Sequence, residues 1–149
     1  MAAAKAAWFI LLNSTIKSPC HIHKLTRFHA ILTRNGPLAS FKTTRFSQRV
    51  LNKSHELPKF LKFQEANDLE SCAKLLSNSW CVKEAVYKCL DHSEQKEFKM
   101  SDWFKINDPT GRPVIGNTMY FQSHPNEEIL CSLSHDGDYV ISVVLRQGS

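Results

Sequence analysis

At 149 residues, 42% hydrophobic and 22% charged, the chain has the length of one domain and the composition of an ordinary globular protein. Disordered and fibrous classes are excluded, and the longest apolar run, Ala6 to Leu12, is far too short to span a bilayer. The net charge of +5 is unevenly spread: residues 1–55 hold nine basic residues and no acid, whereas residues 56–149 hold ten basic and fourteen acidic ones.

The acid-free start contains Ser, Thr and Lys around an apolar patch at Ala6, Ala7, Trp8 and Ile10 to Leu12. That pattern fits a mitochondrial transit peptide better than its rivals, a secretory signal introduced by Lys5 or a plain tail. The expected division is therefore a leader over residues 1–20 and one domain over 21–149. Nine uncompensated positive charges would attract phosphate, yet the segment has neither an aromatic-interleaved platform nor a helix-turn-helix pattern, so nucleic acid is not the expected partner. Five irregularly spaced cysteines argue against a disulfide framework. Cys20, His21 and His23 lack the further ligands that zinc would need.

In chain order, apolar residues at Leu25, Phe28, Ile31 and Leu32 predict a helix that Gly36 and Pro37 end. From Pro58 onward, Leu61, Leu69, Cys72, Ala73 and Leu76 mark a second helical face. A further helix is expected to start at Asn78 or Ser79 and to run through Trp80 to Lys88. The remainder reads as antiparallel sheet. Phe104 and Ile106 alternate into a turn at Asp108-Pro109-Thr110-Gly111, and Pro113 to Phe121 returns as a strand. After a polar turn over Ser123 to Glu128, Ile129 to Ser134 and Tyr139 to Leu145 are strands joined by a tight hairpin at His135 to Asp138. Helices followed by hairpins give an α+β domain, with helices packed on an antiparallel sheet.

Glu84 and Lys88 stand four residues apart on one helix face, with Lys83 beside them. Such a pair is either a surface ion pair of roughly 0.3–0.5 kcal/mol or a carboxylate for a hard cation with lysines for the phosphates it bridges. Ser132, Ser134 and His135 raise a nucleophile question, but no Gly-x-Ser-x-Gly elbow or orienting partner accompanies them.

Four segments together resemble the holo-acyl-carrier-protein synthases, which are 4'-phosphopantetheinyl transferases. They are Arg45-Phe46-Ser47-Gln48-Arg49-Val50-Leu51 with Glu56-Leu57, Trp80 through Lys88, Asn107-Asp108-Pro109-Thr110-Gly111-Arg112-Pro113, and Ser132 through Asp136 with Tyr139 and Val143. The resemblance implies transfer of the phosphopantetheine arm of coenzyme A to a serine of an acyl carrier protein, in support of fatty acid synthesis. It also implies Mg²⁺ and a trimer with sites shared between subunits. By position, Glu84 would meet the metal and Lys83 and Lys88 the phosphates, making Glu84 and Lys88 the catalytic candidates. Trp80, Ser132, Ser134 and His135 would line the coenzyme site. Arg27, Arg34, Arg45, Phe46 and Arg49 would dock the carrier protein.

Three positions depart from the family's pattern. Its opening G-x-D-[IV] strand supplies an aspartate as second metal ligand, and here no acid precedes Glu56. His21 stands at that position in one register and Ser18 in the other. The Gly-rich turn after the Lys-Glu-Ala helix is replaced by Asp91 to Gln95, and Leu130 stands where many members have histidine. An inactive homologue that still binds the carrier protein is the alternative reading.

Overall fold

The computed structural model describes residues 16–34 and 36–148, so the expected leader falls almost wholly outside the described residues. Five strands form one antiparallel sheet in the order β1-β5-β4-β3-β2: β1 Cys20–Lys24, β2 Phe104–Asn107, β3 Pro113–Gly116, β4 Glu127–Asp136 and β5 Tyr139–Gly148. The helices are α1 Leu25–Arg34, α2 Phe41–Val50, α3 Leu57–Glu65, α4 Leu69–Cys89, α5 His92–Lys96 and α6 Thr118–Ser123. This is the α+β arrangement expected. The sheet also reaches upstream of residue 21, because Lys17 and Arg146 exchange backbone hydrogen bonds of 3.2 and 2.9 Å.

Local capping explains where most helices start. Ser40 accepts from the Thr43 amide ahead of α2, and Asp68 accepts from the Ser71 amide ahead of α4. The cap of α1 comes from the far end of the chain. Asp138, in the β4–β5 turn, accepts from the Thr26 amide at 3.0 Å and from its hydroxyl at 2.7 Å. This ties the hairpin to the helix that follows β1. The turn itself has Gly137 at φ +56°, which favours glycine.

Three element boundaries differ from those expected. Residues 58–76 are not one helical stretch: Asn67, at φ +53°, breaks α3 from α4. Conversely, α4 runs unbroken through Asn78 and Ser79, whose side chains bond across the fold instead of capping. The strand expected over Pro113 to Phe121 stops at Gly116, because Asn117 accepts from the Tyr120 amide and starts α6.

Helix α4 is the spine. One side packs with α1, α2 and α3 through Cys72, Ala73 and Leu76 against Phe28, Leu32, Val50 and Phe60. The other side covers the sheet through Val82, Ala85, Val86 and Cys89, with Trp103, Ile115, Ile129 and Val144.

Lys83 lies inside this structure, 1% exposed, and Glu56 is 3% exposed. Lys83 Nζ donates to Glu56 Oε2 and to the Val50 carbonyl, each at 2.6 Å. Glu56 also accepts from the Asn52 amide, the Ser79 hydroxyl and the Lys105 amide at 2.8–3.0 Å. The role expected for Lys83, holding coenzyme phosphates, is thereby corrected: its ammonium is enclosed and committed to Glu56. Burial lowers its pKa against the opposing pull of that carboxylate.

Removing one partner of a buried pair strands the other charge, at a cost of about 3–5 kcal/mol. Lys83→Met should therefore lose about that much stability in urea denaturation. The Lys83→Met/Glu56→Gln double variant should recover part of the loss. A single variant within about 0.5 kcal/mol of the parent would show that the pair is not a structural requirement.

Candidate active site

Helix α4 presents Glu84, Tyr87 and Lys88 on the side turned away from the core, with Trp80, half-buried against Phe28, one turn before Glu84. Trp80, Glu84 and Tyr87 line an open cleft of about 430 Å³ with Phe46, Arg49, Val50, Phe98 and Met100. Trp80 forms its aromatic floor: Phe46 stacks on it at 6.3 Å, and the Arg27 guanidinium lies over it at 5.7 Å. The sequence candidates Trp80, Glu84, Arg27, Phe46 and Arg49 are thus drawn together by α1, α2 and α4. Arg45 is exposed on the same helix as Arg49, one turn away, and Arg34 is exposed at the end of α1.

Strand β1 closes the other side of Glu84 and Lys88. Its alternation turns His21 and His23 toward α4, while Cys20, Ile22 and Lys24 face outward. Lys88 Nζ donates to the Cys20 carbonyl at 3.3 Å and lies 3.3 Å from His21 Nδ1. Burial, and then the Lys88 charge, lower the His21 pKa, with Glu84 pulling the other way. His23 is pushed down to about 4, chiefly by burial, and pairs with the Ser77 hydroxyl at 2.7 Å. His21, and not Ser18, therefore occupies the place beside Glu84 and Lys88.

The donor set does not fit Mg²⁺. That ion favours oxygen ligands, and His21 brings an imidazole where the resemblance implies a carboxylate. The His21 Nδ1 lone pair is already turned to an ammonium. Among the described residues no three His, Cys, Asp or Glu side chains gather as a metal site.

Ser132 and Ser134 lie elsewhere. Along β4, Ile129, Cys131 and Leu133 turn to the core, so Ser132 and Ser134 face outward, opposite Val143 and Ile141 of β5. Within one copy of the chain the sheet separates them from Glu84. That outer face is apolar, with Ile22 53%, Leu130 45% and Val143 40% exposed. His135, at the end of β4, places Nε2 2.7 Å from Asn78 Oδ1.

Asn78 also lines a second cavity, of about 520 Å³, with His55, Lys59, Lys74, Lys105 and Asn107. Burial pulls Lys105 below the usual lysine range. Nothing in the sequence joins these lysines, which come from α3, α4 and β2 and meet only in the fold.

The Gly-rich turn of the resemblance is replaced by α5. Arg146 holds it in place by donating to both Glu94 oxygens at 2.8 and 2.9 Å and to the Cys89 carbonyl at 3.1 Å. Neither the His135–Asn78 contact nor this clamp was visible in sequence, since each joins residues more than fifty positions apart.

Known proteins share this architecture. A Plasmodium yoelii acyl carrier protein synthase with ADP bound superposes with a TM-score of 0.68 at 24% identity, over 92% of this chain and 98% of that one. A Helicobacter pylori holo-[acyl-carrier-protein] synthase in complex with coenzyme A gives 0.64 at 20% identity, over 87% and 99%. At such identities the likeness establishes the fold. In sequence, a Schizosaccharomyces pombe protein provisionally named a holo-[acyl-carrier-protein] synthase is 32% identical over 77 residues, covering 52% of this chain. The chain matches about half the length of that curated relative, 55%. The model of the 4'-phosphopantetheinyl transferase superfamily matches residues 22–144, which is most of the chain, and the protein belongs to that superfamily.

Proposed function

We propose that the chain transfers the 4'-phosphopantetheine arm of coenzyme A to a serine of an acyl carrier protein, as a step toward fatty acid synthesis in mitochondria. The observation that carries this reading is the grouping of Glu84 and Lys88 on one side of α4, beside an aromatic cleft rimmed by Arg27 and Arg49. A carboxylate, a fixed ammonium and a basic rim match the needs of a diphosphate donor and an acidic protein acceptor.

The serine hydroxyl attacks the phosphorus that carries pantetheine. The bond from that phosphorus to the bridging oxygen breaks, and adenosine 3',5'-bisphosphate leaves with the bond's electron pair. Glu84 takes the serine proton, while Lys88 faces the charge that develops on the phosphoryl oxygens. Trp80 and Phe46 give the pantetheine arm an apolar wall. The cavity with Lys59, Lys74 and Lys105 suits the nucleotide's remaining phosphate, the one on its ribose. Arg27, Arg34, Arg45 and Arg49 suit an acidic carrier protein, raising encounter rate and fixing register.

Ser132 and Ser134 join a coenzyme site only across subunits. We read the apolar outer face of the sheet as a self-association surface, in a trimer, that brings these serines toward a neighbour's α4. His21 in place of an acid supports one further reading, a carrier-protein binder without transfer.

Glu84→Gln should lower kcat for labelling an apo-carrier protein by about 10²-fold or more, with the fold unchanged by circular dichroism. Near-parental turnover would remove Glu84 from the mechanism, and an inactive parent that still binds carrier protein would favour the binder. Lys88→Ala should raise the KM for coenzyme A, and Arg45→Glu the KM for the carrier protein. A shift of the same KM by both would contradict the division of faces. Val143→Asp should reduce the particle to monomers in light scattering, with loss of transfer; an unchanged oligomer mass would rule out this sheet face as the contact.

A further inference from the structure

Lys88 is held from two sides, by the Cys20 carbonyl and by His21 Nδ1. An ammonium has three N–H donors and no lone pair, so His21 Nδ1 must be the acceptor of their contact. The proton of the neutral ring then sits on Nε2, which is buried and has no hydrogen-bond partner. Neither nitrogen of His21 keeps a lone pair for a cation, because one is engaged by Lys88 and the other carries hydrogen. Lys88 has committed two of its three donors to strand β1 and has one left. The arrangement replaces a would-be metal ligand by a fixed positive charge.

We propose that this chain binds its diphosphate-bearing substrate without a divalent cation, with Lys88, positioned by His21 and the Cys20 carbonyl, neutralising the diphosphate. This rests on the transferase reading and deepens it. The physical reasons are two. A dication beside Glu84 would stand against the Lys88 ammonium, with Arg27 also close enough to act on His21. A lysine tied to a strand loses little further side-chain freedom on meeting phosphate, whereas a free lysine would lose much of its own. His21 is then a positioning residue that acts through Lys88.

The test is calorimetric titration of coenzyme A into the full chain, first in EDTA and then in increasing Mg²⁺. Kd should agree within about twofold between the two conditions. His21→Ala frees the lysine and should weaken binding about tenfold in both buffers. His21→Asn, whose side-chain carbonyl can accept from Lys88, should restore most of the affinity. His21→Asp should instead make affinity rise with Mg²⁺, and should bind Mn²⁺ in the absence of nucleotide where the parent does not. Parental affinity that falls tenfold or more in EDTA overturns the inference and leaves the transferase reading standing. Equal weakening by the Ala and Asn variants overturns the positioning role. If His21→Ala fails to fold, the parental comparison decides alone. No binding of coenzyme A at any metal concentration overturns the transferase reading and this inference together.

Discussion

The buried pair of Lys83 and Glu56 fixes the architecture on which the site depends. Two charges removed from water are tolerable only when every remaining donor and acceptor is met. Here the pair gathers its partners from separate parts of the chain: the Val50 carbonyl at the end of α2, the Asn52 amide beyond it, Ser79 in α4 and the Lys105 amide in β2. Those contacts hold α2 against α4, and so bring Phe46 and Arg49 beside Trp80. They also anchor β2 to the helical layer, and with it one wall of the lysine-lined cavity. A residue expected to hold phosphates thus acts on the fold instead, by setting where the cleft-lining residues stand.

The periodicity of helix α4 divides its residues between core and surface. Lys83 and Val86 turn inward while Glu84, Tyr87 and Lys88 turn outward, so neighbours in sequence serve opposite purposes. The strand β1 completes the arrangement from the other side, and its pairing with β5 sets which residue meets Lys88. His21 lies opposite Ser142 and faces the helix, whereas a one-residue slip would turn Cys20 or Ile22 there. The α1 cap by Asp138 and the pairing of Lys17 with Arg146 tie β1 and its flanks to the hairpin.

The two faces of the sheet have separate tasks. The inner face covers α4 with Ile129, Val140 and Val144, while the outer face exposes an apolar surface carrying Ser132 and Ser134. Motif residues that lie close in a linear pattern therefore end on opposite sides of a sheet. A site that used both would need a second copy of the chain.

By itself the sequence determined the fold class, the Trp80 to Lys88 helix and the two hairpin turns. These rest on local rules: helical spacing, turn chemistry at Asp108 to Gly111, and alternation along β4 and β5. It also singled out Trp80, Glu84, Phe46 and Arg49 as candidates, through motifs whose order matches a family, but assigned them to two separate surfaces, and only the fold brings them into one cleft. It did not determine that α4 is one helix, because Asn78 and Ser79 have capping chemistry that only their distant partners, His135 and Glu56, divert. Nor did it determine that Pro113 to Phe121 changes from strand to helix at Asn117, where one side chain caps the next turn. Tertiary structure alone decided the burial of Lys83, the contact of His21 with Lys88 and the meeting of Lys59, Lys74 and Lys105. Each depends on which groups are removed from water together, and that is a property of packing between segments far apart in the chain.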